Sequence, residues 1–450
     1  MLSTFKEFTN RLKFVKLRDV FQVFPASVAY VASWTIRWKH RHLWLVCERH
    51  NDARDNGYWF FKYLCEHHPE IEAVYAIDKN SPDRVKVSAL GKVIDFGSFK
   101  HWLYYWMAER NVSSQKEGKP NAALCYIFEV YLGARKNRVY LKHGIIKDYQ
   151  RWIFKDISKI NLLICGAQRE FDYIHQEFGY LENEMALTGL SRYDNLLTPH
   201  EVKRQILVMP TQREWLRVIS SDTLKYEKSL VFTESEYFKT WSHLLASEEL
   251  RGLLEKYQID LLFYPHASMQ QYVETFAKGC DRIIIGTAKD YDVQHLLMES
   301  AVLITDYSSI YFDFAYMEKP LIYYQFDYEK YRRGQYQQGY FSYESDGFGP
   351  VVQSEDELIE ALKEVLERNC EVEATYLVRS RGFFAFHDTN NCERTYQAIR
   401  QMSIIQTNKN KNHECKITKL PPPVRSKEIP NWVHDGRVRY VSYRALECAA

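Results

Sequence analysis

Short apolar runs, each broken by a polar turn and followed by helical periodicity, recur from Leu43 to Val352. This alternation constrains the chain more than any other feature. Parallel strands are buried on both faces and so read as nearly continuous apolar runs, and each crossover between them needs a helix. The first series predicts strands at 43–47, 72–77, 92–95, 139–141 and 161–165, with helices at 58–66, 99–109 and 168–177. The pattern restarts at 205–211 and continues through 261–264, 283–285, 302–305, 321–324 and 350–352, before an amphipathic helix at 356–367. Two doubly wound Rossmann-like α/β domains facing across a cleft are the expected fold. Open sheets of this kind bind ligands at the carboxyl ends of their strands.

At 450 residues the chain has room for two ordinary domains. The expected divisions are a basic, apolar segment at 1–42, a first domain at 43–198, a second at 199–404 and a peripheral or disordered tail at 405–450. Helix-like sequence around 391–402 is a candidate to return to the first domain. A formal net charge of +2 gives no global field that would attract nucleic acid. The nine cysteines form no CxxC pair and no zinc-spaced cluster, and read as reduced thiols in a cytoplasmic protein.

The segment from Val302 to Phe314 carries the most chemistry. Val302 to Ile304 is a buried strand, Thr305-Asp306-Tyr307-Ser308-Ser309 a hydroxyl-rich turn, and Ile310 onward a helix. Unpaired N–H groups at such a helix start attract phosphate. Ser308 and Ser309 have two readings, as caps on that helix or as further donors to a phosphate. His143 ends a strand in Leu141-Lys142-His143-Gly144, where an imidazole could take a proton from an attacking hydroxyl. His266 ends another, in Phe263-Tyr264-Pro265-His266. Arg192, in Gly189-Leu190-Ser191-Arg192-Tyr193-Asp194, either grips phosphate oxygens or pairs with Asp194. Thr211 either contacts phosphate or caps the following helix. Asp306 and Asp313 are two carboxylates, too few to define a metal site.

Several of these segments together resemble the CDP-glycerol glycerophosphotransferase family, whose members build teichoic acids and capsule polymers. The resemblance rests on Asp306-Tyr307-Ser308-Ser309, Phe312-Asp313-Phe314-Ala315, Lys319-Pro320-Leu321-Ile322 and Asp327-Tyr328-Glu329-Lys330-Tyr331. His143-Gly144, His266, the Gly189 to Asp194 segment, Pro210-Thr211 and the loop from Glu48 to Gly57 extend it over roughly residues 43 to 400. Ile145 stands where the family usually has Thr, and Ser191 where Pro is common. The resemblance implies a glycosyltransferase-B-like architecture that works without an essential metal or other cofactor. It implies transfer of glycerol phosphate or ribitol phosphate from a CDP-activated donor to a polymer or lipid-linked hydroxyl, with release of CMP. In that reading His143 is the base. His266, acting in catalysis or in binding, joins Arg192, Thr211, Thr305, Asp306, Tyr307, Ser308, Ser309 and Asp313 around the donor.

Residues 1–42 add an expectation about place. Lys6, Arg11, Lys13, Lys16 and Arg18 precede the interrupted apolar stretch Val20 to Ile36, and Arg37, Lys39 and Arg41 follow it. Such a segment either lies on an anionic membrane surface or packs on the first domain, and a membrane-spanning helix is a third reading that its length and polar interruptions weaken. Surface attachment would place the protein at the cytoplasmic face of a bacterial membrane. Two rival functions remain: a glycosyltransferase using a nucleotide sugar on the same fold, and a scaffold that has lost turnover.

Overall fold

The computed structural model describes residues 17–116, 118–134, 137–216, 218–219, 226–227 and 231–402. The basic cluster from Lys6 to Lys16 and the expected tail lie outside these residues.

Seven parallel strands form the first sheet: β1 (Leu43–Cys47), β2 (Glu72–Ile77), β3 (Lys92–Asp95), β4 (Arg110–Ser113), β5 (Arg138–Tyr140), β6 (Leu162–Cys165) and β7 (Met185–Leu187), in the order 3-2-1-4-5-6-7. The second half begins with β8 (Lys203–Met209) and a small antiparallel hairpin of β9 (Val218–Ile219) and β10 (Tyr226–Glu227). Its six-stranded parallel sheet adds β11 (Asp260–Phe263), β12 (Ile283–Ile285), β13 (Ser300–Thr305), β14 (Leu321–Tyr324) and β15 (Val351–Val352), in the order 12-11-8-13-14-15. β1 and β14 are buried at every position, as strands covered on both faces must be.

Strand order reverses between β1 and β4 in the first sheet and between β8 and β13 in the second. A crevice opens at such a switch point, because the loops on either side leave in opposite directions. The loops after β1, β4, β8 and β13 therefore frame the candidate site.

Two strands of the parallel sheets lie outside the sequence expectation, as do the hairpin strands β9 and β10. β4 reads Arg-Asn-Val-Ser, and Arg110 is buried because its guanidinium donates to the carbonyls of Ile399 (3.3 Å) and Met402 (3.0 Å). β7 has only three residues, too short to show a period.

Several helices matter for the site and its surroundings. Helix α1 (Leu17–Ile36) buries Ala26, Ala29 and Ser33 against α3 (Phe99–Met107), past α2 (Asn56–His67) in chain order. The indoles of Trp102 and Trp106 donate to Gln22 Oε1 and to the Ala26 carbonyl, each at 3.0 Å. Its other face exposes Phe21, Phe24, Val31 and Trp34. So α1 packs on the first half, and its outer face stays apolar. Among the described residues, no helix is long and apolar enough to cross a membrane.

Further along are α4 (Gln168–Glu177), α5 (Ile310–Tyr316), α6 (Glu355–Glu367) and α7 (Asn391–Gln401). Helix α7 buries Cys392, Tyr396 and Ile399 in the first half's core, with Trp44 and Phe60. The expected second domain, 199–404, is thus interrupted at its end, where the chain crosses back. Gly189 permits this return. Its φ is +82°, and a Cβ there would lie 1.6 Å from Asn391 Oδ1.

Candidate active site

The first half presents one exposed imidazole on a buried frame. Asp55, after β1, is the N-cap of α2, and its carboxylate accepts from the Asn56 N–H at 2.8 Å. Its Oδ2 lies 2.6 Å from His143 Nδ1. Gln115, after β4, donates to the same oxygen at 3.3 Å. An ionised carboxylate only accepts, so the neutral His143 ring carries its proton on Nδ1 and leaves Nε2 as an open acceptor. The His143 side chain is 60% exposed and that of Asp55 only 11%. Burial alone would raise the Asp55 carboxyl, but His143 and Arg192 beside it hold it below the usual carboxylate range.

The frame beneath is closely bonded. Glu48, at the end of β1, is buried and accepts from the backbone N–H groups of Arg54 (3.0 Å), Asp55 (3.2 Å) and Tyr58 (2.7 Å). Burial, with Asp55 close by, pushes its carboxyl up to about 8. Lys142 has φ +63° and pairs with Glu170, both fully enclosed. Glu170 in turn accepts from the N–H groups of Ile146 (2.6 Å) and Gly166 (2.8 Å). Asn56 donates to the Lys142 carbonyl at 2.9 Å and accepts from the Arg192 N–H at 3.0 Å. Ile145, where the family usually has a hydroxyl, packs in the core.

Arg192 departs from both sequence readings. Its Nε and Nη2 donate to the two oxygens of Asp313, each at 2.8 Å. Its Nη1 donates to Asp55 Oδ1 (2.9 Å) and to the His143 carbonyl (2.5 Å). Its paired edge is therefore occupied by protein carboxylate and is not presented to a phosphate. Asp194 is elsewhere: it accepts from the N–H groups of Asn391 and Cys392, each at 2.8 Å, and so caps α7.

In the second half, Asp306 accepts from the N–H groups of Thr211 (2.8 Å) and Tyr307 (2.6 Å), which joins the loops after β8 and β13. Arg213, fully buried, lies 2.9 Å from Asp306 and forms a bidentate pair with Asp327 at 2.7 and 2.9 Å. Burial opposes its charge, but Asp306 and Asp327 outweigh that and raise its pKa. Tyr307 stacks on Tyr331 at 3.7 Å between centroids and donates to Asp327 at 3.1 Å. Thr305 donates to the Met209 carbonyl at 2.7 Å.

The expected donor residues therefore separate into two groups. Thr305, Asp306, Tyr307 and Asp313 are buried and bonded to protein, so they shape the loop and do not line it. The carboxylates that invited a metal reading, Asp306 and Asp313, are each paired with a guanidinium. Ser308 and Ser309 are half-buried, and neither hydroxyl caps α5. Thr211 has a buried hydroxyl with no partner among the described residues, so it is not a cap either. His266 follows β11, and its backbone N–H donates to the Pro210 carbonyl at 3.3 Å, beside the Thr211 loop. The Ser268 N–H donates to His266 Nδ1 at 3.2 Å, which leaves the neutral ring's proton on Nε2.

The two loop systems meet at Gly144, where a Cβ would come within 2.9 Å of Ser309 Oγ. A side chain beside His143 would oblige that serine hydroxyl to shift. Asp55, Asn56 and Arg213 are absent from the sequence prediction. The first two lie in a polar loop whose pattern does not single out one carboxylate, and Arg213 lies two residues past the Pro210-Thr211 turn, which does not single it out.

These features define the class first. The chain has the two-domain Rossmann-like fold of glycosyltransferase-B type. It aligns with a structure of the wall teichoic acid polymerase TagF at a TM-score of 0.58 and 17% identity, over 89% of this chain and 98% of that one. An S. aureus MnaA–UDP co-structure shares the fold at a TM-score of 0.52 and 12% identity, over 83% and 99%. Residues 28–401 match the CDP-glycerol:poly(glycerophosphate) glycerophosphotransferase family, and the chain belongs to it. The minor teichoic acid biosynthesis protein GgaB of Bacillus subtilis strain 168 is 31% identical over 378 residues, which are 81% of this chain and 40% of GgaB. The teichoic acid poly(glycerol phosphate) polymerase of Bacillus spizizenii W23 is 38% identical over 332 residues, 67% of this chain and 78% of that protein. The chain thus spans well under half the length of GgaB.

Proposed function

We propose that the chain transfers glycerol phosphate or ribitol phosphate from a CDP-activated donor to a hydroxyl of a teichoic-acid-like or capsular polymer, or of its lipid-linked primer. The observation that carries this reading is the Asp55–His143 pair, which leaves Nε2 open on the residue next to Gly144, where Ser309 comes close. Nε2 takes the proton of the acceptor hydroxyl as its oxygen attacks the phosphorus that bears the polyol. The bond from that phosphorus to the bridging oxygen breaks, and CMP leaves with the bond's electrons. Asp55 stabilises the imidazolium that forms. Ser308, Ser309 and Thr211 supply hydroxyls to the donor's phosphates, and His266 Nε2–H faces the charge that develops on the leaving group.

Product mass spectrometry tests the reading. CDP-glycerol, CDP-ribitol and a panel of nucleotide sugars are each incubated with a polyol-phosphate acceptor. Mass increments of one polyol phosphate, with CMP released, are expected. A sugar increment from a nucleotide sugar would replace the reading with the glycosyltransferase one.

The outer face of α1 supports attachment to an anionic membrane at its cytoplasmic face, where nucleotide-activated donors are found. Phe21, Phe24, Val31 and Trp34 form its apolar side, and Arg37, Lys39 and Arg41 follow. Each basic residue near the surface contributes about 1 kcal/mol, screened by salt. Co-sedimentation with vesicles of anionic lipid is expected to fall at high salt and in a Phe24→Ser/Trp34→Ser variant. Undiminished binding by that variant would remove α1 from the attachment.

A further inference from the structure

The buried charges around Arg192 cross from one half of the molecule to the other. Asp313 lies on α5, four residues beyond Ser309, and offers both oxygens to Arg192. Arg192 follows β7 in the first half and passes the contact to Asp55 Oδ1, while Asp55 Oδ2 holds His143. Gln294 of the second half also donates to the Arg192 carbonyl, at 3.2 Å. The Arg192 and Asp313 side chains are 8% and 6% exposed.

We propose that Arg192 and Asp313 are positioning residues through which the donor-side half orients the His143 base. This rests on the reading of His143 as that base. The physical need is specific. The terminal torsion of an aspartate is broad and nearly two-fold, so how firmly one oxygen is held decides where the other points. Asp55 Oδ1 accepts from the Asn56 N–H and from Arg192, and the charged donor adds the stronger restraint that keeps Oδ2 against His143 Nδ1. Arginine itself has many rotamers and loses considerable entropy when held still. The paired contact to Asp313 supplies that restraint. Because Asp313 and Ser309 share one short segment, the seat of the donor and the aim of the base move together. An open molecule, with Asp313 withdrawn, would hold His143 loosely and would waste less donor on water.

Asp313→Asn and Arg192→Lys test this in the full chain. Histidine-selective 15N NMR, with His143→Gln to assign the signal, reads the ring directly and needs no turnover. In the unaltered chain His143 should be protonated on Nδ1; in both variants the signal should move towards a mixture of tautomers. kcat should fall about 10- to 100-fold, as misaimed groups do, with the KM for the acceptor little changed. Titration calorimetry with CDP-glycerol should show donor affinity within about a factor of two of the parent, well inside the tenfold that 1.4 kcal/mol represents. In a double-mutant cycle, Asp313→Asn should add little to the loss already caused by Asp55→Asn. Circular dichroism and thermal melting separate misaiming from misfolding, and Arg192→Lys keeps a cation if Asp313→Asn proves unstable. An unchanged tautomer with a large loss of donor affinity would make Asp313 a donor ligand and overturn the proposal. An unchanged tautomer and unchanged kcat would overturn it too. A tautomer shift in a chain that uses neither CDP-glycerol nor CDP-ribitol would uphold the strut and refute the proposed substrate.

Discussion

In the second half, the guanidinium of Arg213 is held by Asp306 and Asp327, both from its own sheet. In the first half, the guanidinium of Arg192 is held by Asp55 from its own sheet and by Asp313 from the opposite one. Both arginines are buried, both brace a loop at a strand end, and both have a raised pKa because nearby carboxylates outweigh burial. They differ in what the brace depends on. The loop after β13 is braced by Arg213, Asp306 and Asp327 within one half. The loop of His143 is complete only when the other half is in place. Under the proposed function, one half would bind the donor and the other would react once binding has occurred.

The largest expected effect falls on the reacting group. His143→Ala should lower turnover by about two to four powers of ten, as for loss of a general base. Donor affinity, measured by calorimetry, should stay near the parent value, because the donor loop does not lean on His143. If affinity and turnover fell together, the division between a binding half and a reacting half would fail.

Arg213→Met probes the self-contained brace. It leaves Asp306 and Asp327 buried without their cation, which should cost about 3–5 kcal/mol. Chemical denaturation followed by Trp fluorescence measures this loss. Donor binding should fail with it, since Asp306 also joins the Thr211 and Tyr307 loops. Stability within 1 kcal/mol of the parent, well short of that cost, would show the Arg213 pairings to be incidental.

The serines come next. Ser308→Ala with Ser309→Ala should weaken CDP-donor binding by about 1.5–3 kcal/mol, the scale of hydrogen bonds to charged groups. The melting temperature should hold, because neither hydroxyl caps α5. A fall in melting temperature without a binding defect would return these residues to a capping role.

Much of this was legible in the sequence, for a physical reason. Buried parallel strands such as Leu43–Cys47 and Leu321–Tyr324 must be apolar on both faces, so their pattern survives without any knowledge of partners. β4 was not legible, since Arg110 is buried only through carbonyls of a helix some 290 positions later. The site divides in the same way. His143, His266 and the two serines stand at strand ends, which the alternation reveals. Asp55 is one acid in the loop that also holds Asp52, and only the folded chain aims it at the imidazole. Arg192 was visible as a functional arginine, but its partners were not. A local pair with Asp194, two residues away, is what sequence proximity suggests, whereas the actual carboxylates are Asp313 and Asp55.

Asp194 itself allows the smallest and most discriminating test. Its Oδ1 accepts from the Asn391 N–H (2.8 Å) and side-chain amide (2.7 Å), and its Oδ2 from the Cys392 N–H (2.8 Å). These are N–H groups that the start of α7 would otherwise leave unpaired. The helix so capped carries Tyr396 and Ile399 into the core of the first half, so the cap fastens the returning chain and touches no part of the dyad. Asp194→Ala should therefore cost about 1 kcal/mol of stability, as loss of an N-cap does, and Asp194→Asn less, since one acceptor remains. Turnover should be unaffected in both. The contrast with Asp313→Asn, where kcat should fall while donor affinity holds, separates a carboxylate that ties the halves together from one that aims the base. If Asp194→Ala lowered kcat as far as Asp313→Asn did, closure of the two halves alone would account for both. Arg192 would then lose its special place between donor and base.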